Sequence, residues 1–201
     1  LKDGADFAKV DEAMQSFGWP MGPAYLQDVI GMDTAEHVID HIAHGFGDRL
    51  VPGFEHAVGR MVQHQRFGQK NGKGFYRYER DAKGKPIKTA APESYELIAS
   101  LQAEGLREFS DSEIVQRMML PMIIEAAHCL EENVADGAIE IDMALILGIG
   151  LPRHLGGPLK YCDWVGMVRI VEQCEAYRTV GKLYEPTARM REMARSGGTF
   201  Y

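Results

Sequence analysis

Apolar residues recur at helical spacing along most of the chain, which predicts a protein built from amphipathic helices. The stretch 53–65 is a clear short example. Its apolar positions fall three or four residues apart at Phe54, Ala57, Val58, Met61 and Val62. The same spacing predicts further helices over 6–14, 24–29, 33–44, 93–104, 168–177 and 186–195. Strands and helices do not alternate along the chain in the way that a parallel sheet requires.

The longest apolar stretch runs from Ser112 to Glu132 and predicts a central core helix. The segment 110–113 has the pattern of a capping box at its start. Apolar residues cover much of the circumference of this helix, which is typical of a buried element. Pro121 lies in its middle and predicts a kink rather than an end, because the apolar pattern continues beyond it.

A glycine–proline pattern occurs twice. The segments 22–31 and 157–166 both read Gly-Pro-x-x-x-x-Asp-x-[Val/Ile]-Gly. Glycine adopts backbone conformations that other residues resist, and proline fits the first turn of a helix. Each segment therefore predicts a tight loop that leads into a helix.

The repeat extends in both directions from this pattern. Upstream, Val10-Asp11 corresponds to Ile141-Asp142, and downstream 72–76 corresponds to 197–201. We therefore predict two copies of one helical unit. The copies cover 1–80 and 110–201, and a linker with a bridging helix covers 81–109.

The two predicted copies differ at their start. The helix over 112–132 precedes the second copy, whereas almost nothing precedes the corresponding part of the first. The chain also opens at Leu1 without a methionine. We expect a fragment of a longer protein, in which the N-terminal helix of the first copy is truncated.

Several of these segments resemble one family. Gly-Trp-Pro-Met-Gly-Pro at 18–23, Asp-Val-Ile-Gly-Met-Asp at 28–33, Asn-Gly-Lys-Gly-Phe-Tyr at 71–76 and Gly-Gly-Pro at 156–158 resemble the C-terminal 3-hydroxyacyl-CoA dehydrogenase domains. The duplicated form, with Arg-Met-Met-Leu-Pro-Met at 117–122 between the copies, is similar to the alpha subunits of bacterial fatty acid oxidation complexes. The resemblance covers essentially the whole chain.

The resemblance implies an all-α fold, a tandem of two such domains packed as a pseudo-dimer. It implies the C-terminal fragment of a multifunctional fatty acid β-oxidation enzyme, with NAD-dependent 3-hydroxyacyl-CoA dehydrogenase activity and an enoyl-CoA hydratase elsewhere. This part would complete the acyl-CoA cleft and mediate the packing of domains or subunits. The alternative is a purely structural docking module for partner domains or a thiolase subunit, without substrate contact.

The sequence contains no recognisable residues for the NAD-dependent oxidation of a 3-hydroxyacyl-CoA. No Gly-x-Gly-x-x-Gly sequence occurs, so NAD is expected to bind a missing upstream domain. The family's catalytic His–Glu pair and its supporting Asn also lie upstream, so no catalytic or cofactor-binding residue is assigned and the fragment alone is expected to be inactive. The substrate-binding residues that the resemblance implies are Pro20, Met21, Gly22, Pro23, Leu26 and Leu147. A Gly-Pro loop can also exist purely to turn the chain.

The chain is acidic overall but contains one basic segment. The net charge of −7 argues against nucleic-acid binding. The segment 66–88 is basic, with Arg66, Lys70, Lys73, Arg77, Arg80, Lys83, Lys85 and Lys88 against two acidic residues. A solvated turn and linker is the favoured interpretation of this segment. The alternative is a landing site for the phosphates of a CoA ester or for an acidic partner domain.

Metal and redox chemistry are not favoured. His37, His41 and His44 share a helix face, but no further ligand is obviously placed, so a solvated face is preferred and no metal is assigned. The cysteines Cys129, Cys162 and Cys174 form no Cys-x-x-Cys pair, which favours reduced thiols. With the resemblance, this predicts a bacterial cytoplasmic protein. No apolar run reaches the ~18–20 residues needed to cross a bilayer.

Overall fold

The computed structural model describes residues 1–46, 49–50 and 53–201. The chain is helical, as predicted, and each predicted helix is confirmed within a few residues at its ends. The helices are α1 (Phe7–Phe17), α2 (Pro23–Ile30), α3 (Met32–Phe46), α4 (Ala57–Gln63), α5 (Pro92–Ala99), α6 (Asp111–Glu131), α7 (Ala138–Gly148), α8 (Pro158–Val165), α9 (Met167–Ala176) and α10 (Ala188–Ser196). Short 3₁₀ turns cover Arg153–Leu155 and Lys182–Tyr184.

The chain forms two compact units, each with its own core. The first unit consists of Leu1–Phe17 with Met21–Asp111, and the second of Gly18–Pro20 with Ser112–Tyr201. The elements α1 to α4 of the first unit follow the same order as α7 to α10 of the second. The expected packing of the two copies as a pseudo-dimer stays a prediction.

The core of the first unit is centred on an aromatic cluster around Phe7. The Phe7 ring stacks on Tyr95 of α5 at 4.4 Å between ring centroids. The ring centroid of Phe7 also lies 5.3 Å from that of Phe75 and 5.4 Å from that of Tyr76, which it meets edge to face. Such pairs stabilise a core beyond the area that they bury. Phe75, Tyr76 and Tyr95 are therefore part of this core.

A two-stranded hairpin is the element that the sequence pattern did not predict. The strands β1 (Tyr76–Arg80) and β2 (Pro86–Ala90) pair antiparallel, with Tyr76 opposite Ala90. In the turn, the Asp81 carboxylate accepts hydrogen bonds from the N–H groups of Lys83 and Lys85, both at 2.8 Å. This side chain closes the turn in place of a regular two-residue hairpin loop.

The segment 81–109, which the sequence predicts to be a linker with a bridging helix, lies within the first compact unit. Ala91 and Ile98 are buried in the unit. The Ser94 hydroxyl, also buried, donates a hydrogen bond of 2.7 Å to the carbonyl of Gly74. The charged residues of the hairpin resemble linker composition, but α5 is held by apolar burial and by this contact.

The core of the second unit is built around α6. Ile123 and Ala127 of this helix are fully buried among residues of α7 to α10. The helix continues without a break through Pro121, in agreement with the prediction that the proline does not end it. Its apolar circumference thus reflects contact with several helices at once.

The cysteines give a test of this core. Cys162 and Cys174 are fully buried, whereas Cys129 is half-buried on α6. Burial raises the pKa of the Cys162 and Cys174 thiols to about 12 each, so both are protonated and unreactive at neutral pH. We expect a thiol reagent to label Cys129 first, and the other two only after unfolding. Mass spectrometry of labelled peptides measures this, with urea-unfolded protein as the control. Equal native labelling of all three would contradict the packing.

Candidate functional site

The Gly-Pro loop of the first unit is held by a buried carboxylate. Asp11 of α1 accepts hydrogen bonds from the N–H groups of Ala24 and Tyr25, at 2.7 and 2.9 Å, in the first turn of α2. It also accepts a hydrogen bond of 2.7 Å from the Tyr76 hydroxyl. The first N–H groups of a helix have no partner inside the helix, and they favour a negative charge. Asp11 therefore caps α2 from another helix.

The sequence of the loop follows from this contact. A Cβ atom added to Gly22 would lie 2.3 Å from the Cα, Cβ and Cγ atoms of Asp11, so the aspartate fits only against glycine. Pro23 has no N–H, which makes Ala24 and Tyr25 the first donors of α2.

A second buried aspartate holds the other end of the motif. Asp28 of α2 accepts hydrogen bonds of 2.9 Å from the N–H groups of Phe75 and Tyr76. It also accepts a hydrogen bond of 2.7 Å from the Tyr78 hydroxyl. A Cβ atom on Gly74 would lie 1.9 Å from the Asp28 Oδ1 atom, which explains the glycine before the aromatic pair. Tyr76 bridges the two aspartates, one through its hydroxyl and the other through its N–H.

The second unit repeats the first contact. Asp142 of α7 accepts hydrogen bonds of 2.9 Å from the N–H groups of Leu159 and Lys160, at the start of α8. The Tyr201 hydroxyl donates to the same carboxylate at 2.8 Å. A Cβ atom on Gly157 would lie 2.1 Å from the Asp142 Cγ atom.

The second unit also repeats the other contact. Asp163 of α8 accepts hydrogen bonds from the N–H groups of Phe200 and Tyr201, at 2.9 and 3.1 Å. We call each set an aspartate clasp. The clasps consist of Asp11, Asp28 and Tyr76 in the first unit, and of Asp142, Asp163 and Tyr201 in the second. The sequence pattern contained all four aspartates at matching places, but gave them no role.

The electrostatics of the first clasp are those of a structural site. Burial raises the pKa of Asp11 and Asp28, and the hydrogen bonds from Tyr76, Tyr78 and backbone N–H groups oppose that rise. Burial and the bonded carboxylates raise the pKa of both tyrosines, so they are neutral donors at physiological pH. The Lys88 ammonium lies 4.0 and 4.2 Å from the ring centroids of Tyr25 and Tyr76. Because each carboxylate has three donors, the clasp is suited to fixing α2 rather than to moving protons.

The residues assigned to substrate binding fall into two groups. Gly22 is buried against Asp11, and Pro23 is half-buried in the first turn of α2. The others lie at or near the surface. Pro20 and Leu26 are exposed, Met21 is half-buried, and Leu147 is 69% exposed at the end of α7. Their contact with substrate stays a prediction.

Most basic residues of 66–88 are engaged within the first unit. The buried Arg66 donates from Nε and Nη2 to the Gly74 carbonyl, at 3.0 and 2.8 Å. Lys70 pairs with Asp33, at 2.6 Å. The remaining contacts join Arg77 to Glu93, Arg80 to the Gly84 carbonyl, and Lys88 to the rings of Tyr25 and Tyr76. These contacts favour a structural role over a landing site for phosphates.

The histidines of α3 do not gather ligands around an ion. The rings of His37 and His41 lie 5.9 Å apart. Across residues 1–46, 49–50 and 53–201, no group of three or more His, Cys, Asp or Glu side chains is placed to hold a metal. Within the same residues, no helix combines the length and apolar character needed to span a bilayer.

Two units with the same helix order and the same clasp define a duplicated helical domain. The family model described as 3-hydroxyacyl-CoA dehydrogenase, C-terminal domain, matches residues 1–78 and 114–199. The chain belongs to this family, as the sequence resemblance predicted.

Curated relatives match over the whole chain. They include the fatty acid oxidation complex subunits alpha of Acinetobacter baumannii strain SDF, at 48% identity over 201 residues, and of Psychrobacter sp. strain PRwf-1, at 46%. The subunit alpha of Pseudomonas aeruginosa strain LESB58 is 47% identical. Each alignment covers 100% of this chain and 28% of the relative. The chain thus spans little more than a quarter of the length of these relatives.

Two solved structures share the fold. 3-Hydroxybutyryl-CoA dehydrogenase from Escherichia coli K12 is similar over 95% of this chain and 58% of its own, with a TM-score of 0.66 and 21% identity. The dehydrogenase part of multifunctional enzyme 1 from C. elegans is similar over 92% of this chain and 41% of its own, with a TM-score of 0.65 and 24% identity.

Proposed function

We propose that the chain is the C-terminal part of a multifunctional fatty acid β-oxidation enzyme of the bacterial cytoplasm. The main support for this proposal is the 46–48% identity to fatty acid oxidation complex alpha subunits over all 201 residues. The enzyme oxidises 3-hydroxyacyl-CoA with NAD, and its hydratase lies in another part of the polypeptide. Strands within the described residues form a single antiparallel hairpin, unlike the βαβ unit that binds dinucleotides. In this proposal NAD binds a domain outside this chain.

In this proposal α2 forms part of the acyl-CoA cleft. The aspartate clasp fixes α2 at its N-terminus through Asp11 and near its C-terminus through Asp28. The side chains of Leu26, Val29 and Ile30 remain about 40% exposed on the same helix. An apolar edge on a rigid helix suits contact with an acyl chain, because little order is lost when the ligand binds. In the second unit, the resemblance implies substrate contact by Leu147, which is exposed at the end of α7.

The alternative is a docking module for partner domains or a thiolase subunit. It is favoured by α7, where Ile139, Met143 and Leu147 form an exposed apolar stripe. At the corresponding positions α1 carries Ala8, Glu12 and Ser16. The fold alone does not require this stripe, since α1 makes the same clasp without it. Exposed apolar stripes of this kind often mark protein contacts.

Kinetics with acetoacetyl-CoA and NADH separate these roles. We expect no turnover by the 201-residue chain alone, and turnover by the longer polypeptide that contains it. In the longer polypeptide, Leu26→Asp should lower kcat/KM by about 10- to 100-fold, since one apolar contact contributes roughly 1–3 kcal/mol to substrate selection.

Ile87→Asp on β2 is a matched control, because Ile87 and Leu26 are each 39% exposed. This variant should keep the kcat/KM of the parent. Normal kinetics of Leu26→Asp would reject substrate contact by α2 and leave the docking role. Hydride transfer by the 201-residue chain alone would overturn the assignment of NAD to another domain.

A further inference from the structure

Helix α7 leaves an apolar stripe uncovered at the surface of the second unit. Its members Ile139, Met143 and Leu147 are 60%, 46% and 69% exposed. They are spaced four residues apart, so they lie on one side of the helix over about 12 Å. Ile149, which follows the helix, is 52% exposed as well. We call these four residues the α7 stripe.

The apolar composition of α7 is not explained by the core of its own unit. Ala138, Ile141 and Asp142 are the residues of this helix that are buried. Within Ala138–Gly148, Glu140 is the one charged residue outside the aspartate clasp. A helix that is apolar on all sides is normally covered on all sides. A partner on the α7 stripe would complete this coverage.

Charged residues of opposite sign lie at the two ends of the α7 stripe. Asp136 and Glu140 are exposed near the N-terminal end of α7, and Arg153 is exposed in the 3₁₀ turn after its C-terminal end. The Leu151 N–H donates to the Leu145 carbonyl at 3.2 Å, which ties the segment that follows α7 to the last turn of the helix. One end of the stripe is therefore acidic and the other is basic.

We infer that the α7 stripe is a self-association surface, on which the same stripe of a second copy of this chain packs antiparallel around a two-fold axis. Such pairing places the acidic end of each stripe beside the basic end of the other. A parallel arrangement would bring like charges together at both ends. The axis passes next to Met143, in the middle of the stripe, and Ile139 of one copy then lies beside Leu147 of the other.

The charges select a second copy among the partners that an apolar stripe could bind. An apolar surface alone accepts many partners, whereas the two charged ends match a surface that carries the same pattern in the reverse direction. Four apolar side chains from each copy form a small interface, so we expect a Kd on the order of 10 μM. The pairing covers Leu147 and excludes its contact with substrate, but it does not involve α2.

Sedimentation equilibrium of the 201-residue chain tests this inference. Leu147→Asp should raise the Kd of the dimer by at least about 100-fold, because the lost contact occurs twice in a two-fold dimer. Leu106→Asp is the matched control, since Leu106 and Leu147 are each 69% exposed, and it should leave the Kd within about twofold. Melting followed by circular dichroism shows whether each variant is folded. A parent chain that stays monomeric at about 100 μM would overturn the inference, as would equal effects of the two substitutions.

Charge reversal distinguishes a second copy from any other partner. Glu140→Lys and Arg153→Glu should each raise the Kd at least about fivefold, because each creates two like-charge contacts in the dimer. In an equimolar mixture of the two variants, every reversed end faces an opposite charge, so the Kd should return to within about twofold of the parent value. A mixture that associates no better than its components would overturn the two-fold pairing.

Disulfide cross-linking extends the test to the longer polypeptide. In a Cys129→Ser background, Met143→Cys lies next to the axis and should form a disulfide with its counterpart in the second copy, identified by mass spectrometry of the linked peptide. Val134→Cys is the control, because Val134 is 70% exposed but lies before α7, away from the axis. Equal cross-linking of the two variants would overturn the antiparallel arrangement. Absence of the Met143→Cys disulfide in the longer polypeptide would also overturn the inference, since the stripe would then be covered by another domain. None of these results depends on CoA binding or turnover.

Discussion

Replacing Asp28 with alanine should lower the free energy of unfolding by about 4 kcal/mol. The change removes the acceptor for the N–H groups of Phe75 and Tyr76 and for the Tyr78 hydroxyl. The two N–H groups lie in the interior, and a buried donor without a partner destabilises the native state by about 1–3 kcal/mol. Since domains are typically stable by about 5–15 kcal/mol, the loss should be visible as a large shift of the urea midpoint.

Two variants calibrate that result. Asp33→Ala removes an exposed carboxylate that pairs with Lys70, and should change stability by less than about 1 kcal/mol. Asp28→Asn keeps the shape and one acceptor oxygen but turns an amide donor toward other donors. Its loss of stability should therefore lie between those of Asp28→Ala and Asp33→Ala. If Asp28→Ala lowers the free energy of unfolding no more than Asp33→Ala does, Asp28 does not hold the backbone of Phe75 and Tyr76 as described.

The features that the sequence predicted correctly are local. Helical spacing requires only near neighbours, and the Gly22-Pro23 loop into α2 follows from the backbone preferences of two residues. The partner of that loop is not local, since Asp11 and Asp28 make their contacts 13 to 50 residues away along the chain. Comparison of the two copies could have pointed to these aspartates, because each copy carries a carboxylate at the same place beside apolar positions.

Tertiary contacts also explain the hairpin that the sequence missed. β1 carries arginine and glutamate between its tyrosines, and β2 is largely exposed, so the composition resembles a linker. The strand is held by Tyr76 and Tyr78, which donate hydrogen bonds to Asp28. Arg66 shows the same effect, since a residue counted with a solvated basic segment is buried against the Gly74 carbonyl. Propensity is a weak guide where such contacts decide the structure.

Surface residues set another limit on prediction from sequence. Leu26 and Leu147 were assigned to substrate by resemblance, and the structure places both at the surface. The helical period gives the face on which such a residue lies. It does not give the partner that covers this face, because an acyl chain and a protein helix present similar apolar surfaces. For this reason the proposed kinetics compare Leu26 with an apolar residue of equal exposure.

Gly157→Ala is expected to destabilise the second unit by at least about 3 kcal/mol. Gly157 has a φ of +115°, a conformation that L side chains rarely adopt, and an added Cβ would lie 2.1 Å from the Asp142 Cγ atom. The aspartate cannot retreat without releasing Leu159 and Lys160, so the backbone strain and the lost cap add together.

The second unit carries its own reporter for this change. Native Cys162 is buried one turn further along α8, so loosening of the clasp should expose it to a thiol reagent before global unfolding. Gly148→Ala is the matched control, because no atom lies within 4 Å of an added Cβ there, and alanine near the end of α7 should leave stability within about 1 kcal/mol. A Gly157→Ala protein that melts like the parent and keeps Cys162 protected would mean that the carboxylate and the glycine are not in contact. The glycine–proline loop would then serve only to turn the chain, and the rigid presentation of α2 and α8 would need another cause.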